Sequence, residues 1–125
     1  MKGVYILLAV LAVAYFALSN GKGGYTSIPQ DQAKQMMDNG GVIVLDVREQ
    51  SEFDAGHIKG AVLLPVGTIN ETSAAAVIPS KDSTVLVYCR SGNRSKTASD
   101  KLAKLGYSNI YEIGGINSWK YGVEY

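Results

Sequence analysis

Short runs of consecutive apolar residues punctuate the chain, each bounded by glycine, proline or polar residues. Residues 42–47 and 85–89 are the clearest runs, and their nearly continuous apolar character is typical of strands that a parallel sheet buries on both faces. Two further strands are predicted at residues 61–64, which end at Pro65, and at residues 109–113. The pattern of runs therefore predicts a buried, parallel sheet.

Between these runs, apolar residues recur at the three- and four-residue spacing of one helix face. The first helix is predicted to start at Ser27 and to end at the glycine pair 40–41. A weaker helical pattern covers residues 68–77, and a third helix is predicted from Ser95 to Leu105. The residues expected on buried helix faces are Ala33, Met36, Met37, Ala98, Leu102 and Leu105. Alternating strands and helices indicate an α/β open parallel sheet, in which ligands bind beyond the carboxyl ends of strands.

The N-terminus carries an unbroken apolar run, residues 4–18, that follows Lys2. It is shorter than the roughly 20 residues that a membrane span needs, and it fits the apolar core of a secretory signal. Residues 1–19 are therefore predicted to be a signal peptide or, if uncleaved, a membrane anchor, and either would make the domain extracytoplasmic. A buried helix of the domain is the disfavoured alternative, because residues 20–25 read as a Gly-rich linker to a domain at 26–125.

Composition excludes several classes of function. Twelve Lys and Arg residues balance eleven Asp and Glu residues, and no basic stripe argues for a nucleic-acid partner. The single cysteine cannot form an internal disulfide or a Cys-x-x-Cys redox pair. With one cysteine and one histidine, a metal site is not expected either.

The cysteine stands where its chemistry would be altered, at the end of the predicted strand 85–89 and before the predicted helix. A loop in that position directs free backbone N–H groups and the positive end of the helix dipole into one small space. Arg90 and Arg94 add two positive charges, so Cys89 is predicted to lose its proton easily and act as a nucleophile. The alternative, a small buried hydrophobe, suits such a polar loop poorly. The predicted anion-binding residues are Arg90, Ser91, Gly92, Asn93, Arg94 and Ser95.

Residues 89–95, Cys-Arg-Ser-Gly-Asn-Arg-Ser, resemble the active-site loop of rhodanese-type sulfurtransferases. Tyrosine phosphatases separate their cysteine and arginine by five residues, whereas four residues lie between Cys89 and Arg94. The tighter loop suits a sulfur atom better than a phosphoryl group, which disfavours phosphatase or arsenate reductase chemistry. Residues 53–61 and the Gly-Gly-x-x-x-Trp of residues 114–119 are similar to two further elements of that family.

Polar residues follow the predicted strand 42–47. Asp46, Arg48 and Glu52 are candidates for acid–base catalysis, but ion pairs and hydrogen bonds that fix the loop are the favoured interpretation, and rhodanese-type domains carry a similar Asp-x-Arg. His57 is a candidate base for the cysteine. A thiolate that the loop already stabilises needs no base, so Asp46, Arg48 and His57 are predicted to be structural support.

The resemblance covers about residues 26–122. It implies a single rhodanese-like domain with a five-stranded sheet, helices on both faces, and a terminal helix pinned by Trp119. It implies a sulfurtransferase without cofactor, in which Cys89 takes a sulfane sulfur from a small anionic donor such as thiosulfate. The resulting persulfide would then pass its sulfur to cyanide, a thiol or a protein acceptor, while Arg90 and Arg94 attract the donor or brace the loop. A membrane-tethered sulfur carrier, or an anion-docking binding module with little turnover, is the alternative.

Overall fold

A computed structural model describes residues 24–125 of the chain. The predicted signal or anchor, residues 1–19, and residues 20–23 of the predicted linker lie outside the described residues. Across residues 24–125, every helix falls short of the length and apolarity that a membrane crossing requires.

The strands are β1 Thr26–Ser27, β2 Val42–Asp46, β3 His57–Ile58, β4 Val62–Leu63, β5 Thr84–Cys89, β6 Asn109–Gly115 and β7 Val123–Glu124. The helices are α1 Gln30–Asn39, α2 Gln50–Asp54, α3 Glu71–Val77 and α4 Asn93–Lys104, with 3-10 turns at Val66–Thr68 and Ile116–Ser118.

The main sheet of the described chain has five parallel strands in the order β1-β6-β5-β2-β4. Its central strand, β5, pairs with β2 on one side and β6 on the other, so β5 ends in the middle of the sheet. The predicted α/β parallel sheet is confirmed. A second, antiparallel pair joins β3 to β7 through the C-terminal residues.

Side chains of β5 alternate between two buried layers, because successive residues of a strand point to opposite faces. Val85, Val87 and Cys89 pack with residues of α3 and α4, whereas Leu86 and Tyr88 pack with residues of α1. Helices therefore cover both faces, as predicted. The helix residues expected in the core lie there: Ala33, Ala98 and Leu102 are buried, and Met36, Met37 and Leu105 are partly buried against them.

The predicted start of the first helix was wrong. Ser27 belongs to β1, and the next residue continues the ladder, since the Ile28 N–H donates to the Glu112 carbonyl at 3.0 Å. Pro29 caps the helix, which begins at Gln30. Pro29, with its extended ψ, ends the strand and orients the chain for the helix. Residues 26–29 therefore contain both the whole of β1 and the start signal of α1.

The C-terminal region also differs from expectation. Strand β6 runs through Gly115 instead of ending at residue 113, and the predicted terminal helix is a 3-10 turn at Ile116–Ser118. Half-buried Trp119 still packs against the core, and its indole N–H donates to the Gly122 carbonyl at 3.1 Å. The chain then returns to the body of the domain as β7.

Candidate active site

The loop that follows β5 is shorter than the sequence predicted. Helix α4 begins at Asn93, immediately after Gly92, so Arg94 and Ser95 lie in the first helical turn. Gly92 makes the early start possible, because its φ of 108° is a backbone conformation that residues with a Cβ rarely adopt. The loop proper is therefore residues 90–92, and it carries Cys89 at its entrance.

The end of β6 supports this loop from the neighbouring strand. A Cβ at Gly115 would lie 2.1 Å from the carbonyl oxygen of Arg90 and 2.6 Å from the backbone nitrogen of Ser91. That same carbonyl accepts a hydrogen bond of 3.1 Å from the Asn117 N–H. Only glycine permits so close a backbone approach, which explains why glycine stands at position 115.

Cys89 is 1% exposed, and hydrogen-bonding groups surround its sulfur. The Gly92 N–H donates to Sγ at 3.0 Å, and the Ser95 Oγ lies 3.4 Å away. Burial raises the pKa of the thiol, but the Ser95 hydroxyl and the N–H groups of Ser95, Gly92 and Ser91 lower the pKa by more. The net pKa lies below the ordinary value for cysteine, so the loop stabilises the thiolate relative to a free cysteine.

The predicted loop residues divide into three groups by position. Gly92 and Ser95 are buried against the sulfur, and Arg94 is half-buried. The exposed residues of the rim are Arg90, Ser91 and Asn93.

The two arginines have different surroundings. Two hydrogen bonds, of 2.7 and 2.9 Å, join the Arg94 guanidinium to the carboxylate of Glu52, and they hold the pKa of Glu52 at about 2. This geometry favours a bracing role for Arg94. Arg90 is exposed, and no carboxylate of the described residues lies within 4.0 Å of its guanidinium. Arg90 is thus the arginine available to an incoming anion.

Asp46 and Arg48 form a buried ion pair at the end of β2, with the guanidinium Nη2 2.7 Å from Asp46 Oδ2. The same Nη2 donates to the Gly56 carbonyl at 2.7 Å. The Tyr88 hydroxyl donates to Asp46 Oδ2 at 2.6 Å and accepts from the Ile58 N–H at 3.0 Å. These contacts tie β2, β5 and β3 together, the arrangement expected of structural support.

His57 lies in the same supporting region. Its Nδ1 is 3.0 Å from the Phe53 carbonyl, and its ring stacks on the Phe53 ring with the centroids 3.8 Å apart. Its Nε2 is 3.5 Å from a carboxylate oxygen of Glu124. Both ring nitrogens therefore face structural partners. Within residues 24–125, no cluster of three His, Cys, Asp or Glu side chains is placed to hold a metal ion.

Glu112 is a member of the site that the sequence interpretation missed. Its carboxylate Oε2 lies 2.5 Å from Ser95 Oγ, directly behind the hydroxyl that faces Cys89. Glu112 is 4% exposed. The sequence pattern could have identified Glu112, because a glutamate stands at a position of the predicted strand 109–113 where a buried apolar residue is expected.

Comparisons with a family model and with known proteins all indicate the same family. A family model described as a rhodanese-like domain matches residues 29–121. A mitochondrial protein of Schizosaccharomyces pombe is 44% identical over 87 residues, which cover 62% of this chain and 60% of that protein. The thiosulfate sulfurtransferase GlpE of Pseudomonas putida is 33% identical over 97 residues, which cover 77% of this chain and 86% of the relative.

Solved structures give the same result. The fold is similar to that of a structure described as rhodanese with anions from E. coli, with a TM-score of 0.61 and 28% sequence identity. The similarity covers 66% of this chain and 95% of that structure.

Proposed function

The chain belongs to the rhodanese-like domain family, and from that premise we propose that it is a sulfurtransferase whose Cys89 carries a sulfane sulfur from a donor to an acceptor. The observation that carries this proposal is the position of Cys89 Sγ, 3.0 Å from the Gly92 N–H and at the start of α4. The name of the Pseudomonas putida relative, a thiosulfate sulfurtransferase, supports it.

In the first half-reaction, the Cys89 thiolate attacks the outer sulfur of an anionic donor such as thiosulfate. A new S–S bond forms to Cys89 while the donor's S–S bond breaks, and sulfite leaves with the electron pair of that bond. Cys89 is then a persulfide anion, so total charge is conserved. This is covalent catalysis, in which one transfer is divided into two displacements.

In the second half-reaction, cyanide or a thiolate attacks the outer sulfur of the persulfide. The acceptor leaves as thiocyanate or as a new persulfide, and the electron pair of the broken S–S bond returns to Cys89. The Gly92 N–H already donates a hydrogen bond to the cysteine sulfur, and the N–H groups of Ser91 and Ser95 also lower its pKa. The same donors, with the positive end of α4, stabilise a sulfur anion as an oxyanion hole stabilises oxygen.

The test is the intact mass of the full chain before and after thiosulfate, and again after cyanide. We expect a gain of one sulfur, about 32 Da, that cyanide removes with release of thiocyanate. Cys89→Ser is the matched control, because it replaces the sulfur by oxygen at nearly constant shape and should gain no mass.

Three outcomes are separable. No gain with any sulfane donor contradicts the proposal. A persulfide that forms but transfers its sulfur only slowly to small acceptors would favour a sulfur carrier with little turnover. Turnover of a phosphate ester without a persulfide would favour phosphatase chemistry.

The proposal extends to location. The apolar residues 4–18 favour a domain that acts outside the cytoplasm, either released or held at a membrane. Fractionation of cells that express the full chain, with the mass of its N-terminal peptide, tests this expectation. Recovery of the uncleaved protein in the cytosolic fraction would contradict it.

A further inference from the structure

Glu112 is a buried carboxylate without a buried cation. It is 4% exposed, and no Lys, Arg or His nitrogen of the described residues lies within 4.0 Å of its oxygens. Its Oε1 accepts from the Ser27 hydroxyl at 3.2 Å, and its Oε2 accepts from the Gly114 N–H at 2.8 Å and from Ser95 Oγ at 2.5 Å. Buried carboxylates are usually paired with cations or protonated, so this one calls for a specific explanation.

The Ser95 hydroxyl has one proton and several neighbours that accept one. Glu112 Oε2 is nearest at 2.5 Å, followed by the Gly92 carbonyl at 3.0 Å, while Cys89 Sγ and the Gly114 carbonyl are each 3.4 Å away. When Glu112 is ionised, the hydroxyl donates to it, because hydrogen bonds to a charged acceptor are the stronger ones. The serine oxygen then presents lone pairs to Cys89, so the hydroxyl lowers the pKa of the thiol only in the orientation in which its proton points to the sulfur.

The opposite orientation is equally compatible with these positions. If Glu112 carries a proton, its O–H donates to Ser95 Oγ, and the serine O–H is free to donate to the Cys89 thiolate. The two arrangements differ only in the positions of two hydrogens. They have the same net charge, with one proton shared between a carboxylate and a thiolate.

We propose that Glu112 is a positioning residue that shares one proton with Cys89 through the Ser95 hydroxyl. The proton of the Cys89 S–H moves to Ser95 Oγ while the former hydroxyl proton moves to Glu112 Oε2. The electron pair of the S–H bond stays on sulfur, and Glu112 becomes a neutral carboxylic acid. The step needs no other reactant, and its use in catalysis rests on the function proposed above.

Burial makes this internal exchange the short route for the proton. Ser95 is 0% exposed, so bulk water has little access to the hydroxyl that joins Cys89 to Glu112. When an acceptor removes the outer sulfur from the persulfide, the shift runs in reverse and returns Cys89 to the thiol. Glu112 thus stores the proton while Cys89 is charged or carries sulfur.

Few other charges face Glu112. Strand β1 contributes the Ser27 hydroxyl, α4 contributes Ser95, and β5 places Val87 opposite Glu112 in the sheet register. Asp31 and Lys120 line the same cleft, of about 660 Å³, as Glu112. On the loop side, the Arg94 charge is engaged by Glu52. Ser95 is therefore the direct connection between Glu112 and the sulfur.

The test is a pH titration of Cys89 thiolate absorbance in the full chain, measured as the difference from Cys89→Ala. We expect Glu112→Gln to raise the thiolate fraction at about pH 6 by roughly tenfold, because a neutral amide leaves the serine proton free for the sulfur. In a protein that already carries Ser95→Ala, Glu112→Gln should raise the thiolate fraction of Cys89 less than about threefold. Glu71→Gln, at an exposed glutamate of α3, is the matched control and should leave the titration unchanged.

An unchanged titration in Glu112→Gln would overturn the inference. An equal effect with and without the Ser95 hydroxyl would also overturn it, since the charge would then act through space. If Glu112→Gln does not fold, Glu112→Asp is the alternative, because it withdraws the carboxylate from Ser95 by one methylene. It should shift the titration of Cys89 in the same direction. An unchanged titration in Glu112→Asp would overturn the inference. The mass test for the persulfide is independent, so a shifted titration without a persulfide would contradict the proposed function alone.

Discussion

Cys89 owes the lowered pKa of its thiol to neighbours within one helical turn and not to His57. Three backbone N–H groups and the Ser95 hydroxyl lower the pKa of the thiol against the opposing effect of burial. His57 contacts Phe53 and Glu124 instead. At the residue scale, the site therefore resembles an anion-binding loop in which one of the bound anions is the thiolate itself.

Arg90 is the residue through which donor affinity should be adjusted. We expect Arg90→Ala to raise the KM for thiosulfate about fivefold with little change in kcat, because an exposed cation contributes roughly 1 kcal/mol to attracting an anion. The effect should weaken at high ionic strength. Lys96→Ala, an exposed cation of α4, is the control in steady-state assays and should leave KM unchanged. Equal KM values for the Arg90 variant and the wild type would contradict this role.

Glu52 and Arg94 should contribute a pH-dependent part of the stability. The pKa of Glu52 is about 2 in the folded protein against an ordinary value of 4.5, so the folded state favours the ionised form. The contribution is complete above about pH 5 and is lost as the pH falls towards 2. We expect Glu52→Gln to lower the free energy of unfolding by about 1 kcal/mol at neutral pH, with the difference from wild type closing at low pH.

Urea unfolding of both proteins across this pH range measures that difference. Glu71→Gln is the control, because its ion pair with Lys81 is exposed and should contribute little. A Glu52→Gln deficit that stays constant down to pH 2 would contradict the assignment.

At the element scale, the loop of residues 90–92 depends on the strand beside it. Strand β6 contributes Gly115, which packs directly against the loop backbone, and it contributes Glu112 behind Ser95. The loop is therefore held by packing against β6 as well as by its own helix. A substitution in β6 should therefore alter persulfide formation at Cys89 even though β6 need not contact the substrate.

Gly115→Ala tests this dependence. Its new methyl group would overlap the backbone of Arg90 and Ser91, which cannot yield as a flexible side chain does. We expect a loss of about 1–3 kcal/mol in the free energy of unfolding and a strong loss of persulfide formation. Gly67→Ala is the matched control, because nothing lies within 4 Å of the position that its methyl group would take. Wild-type persulfide formation in Gly115→Ala would show that the loop does not need this contact.

At the scale of the whole molecule, Tyr88 connects the main sheet to the small β3–β7 sheet. Its hydroxyl joins the buried Asp46 carboxylate to the Ile58 N–H of β3. Burial, with the neighbouring Asp46, raises the pKa of Tyr88, so the hydroxyl keeps its proton and the link persists at all physiological pH values.

Tyr88→Phe should therefore destabilise the fold by about 1–3 kcal/mol, since it leaves two buried polar groups without this partner. Urea unfolding measures the loss, and hydrogen exchange at the Ile58 amide should accelerate by more than global unfolding explains. Tyr121→Phe, at an exposed tyrosine, is the control. Protection of the Ile58 amide equal to wild type would contradict the link.

Much of the fold was predictable because its signals are local. Apolar runs marked β2 and β5, helical spacing marked α1 and α4, and the spacing of Cys89 and Arg94 marked the loop. The boundaries were less predictable where one residue serves two elements. Ser27 looked like a helix cap, but pairing with β6 holds it in a strand, and the positive φ of Gly92 starts α4 two residues before the predicted Ser95.

The sequence by itself determined the alternation of strands and helices, the family, and the cysteine at the end of a buried strand, since each depends on residues close together in the chain. Only the tertiary structure decided that Glu52 binds Arg94 and that Glu112 lies behind Ser95. These partners are 42 and 17 positions apart. They meet because the sheet order places β6 beside β5, α4 packs against β6, and the ion pair of Arg94 with Glu52 joins α4 to α2. Hydrogen bonds between such partners depend on that packing, and no local pattern encodes it.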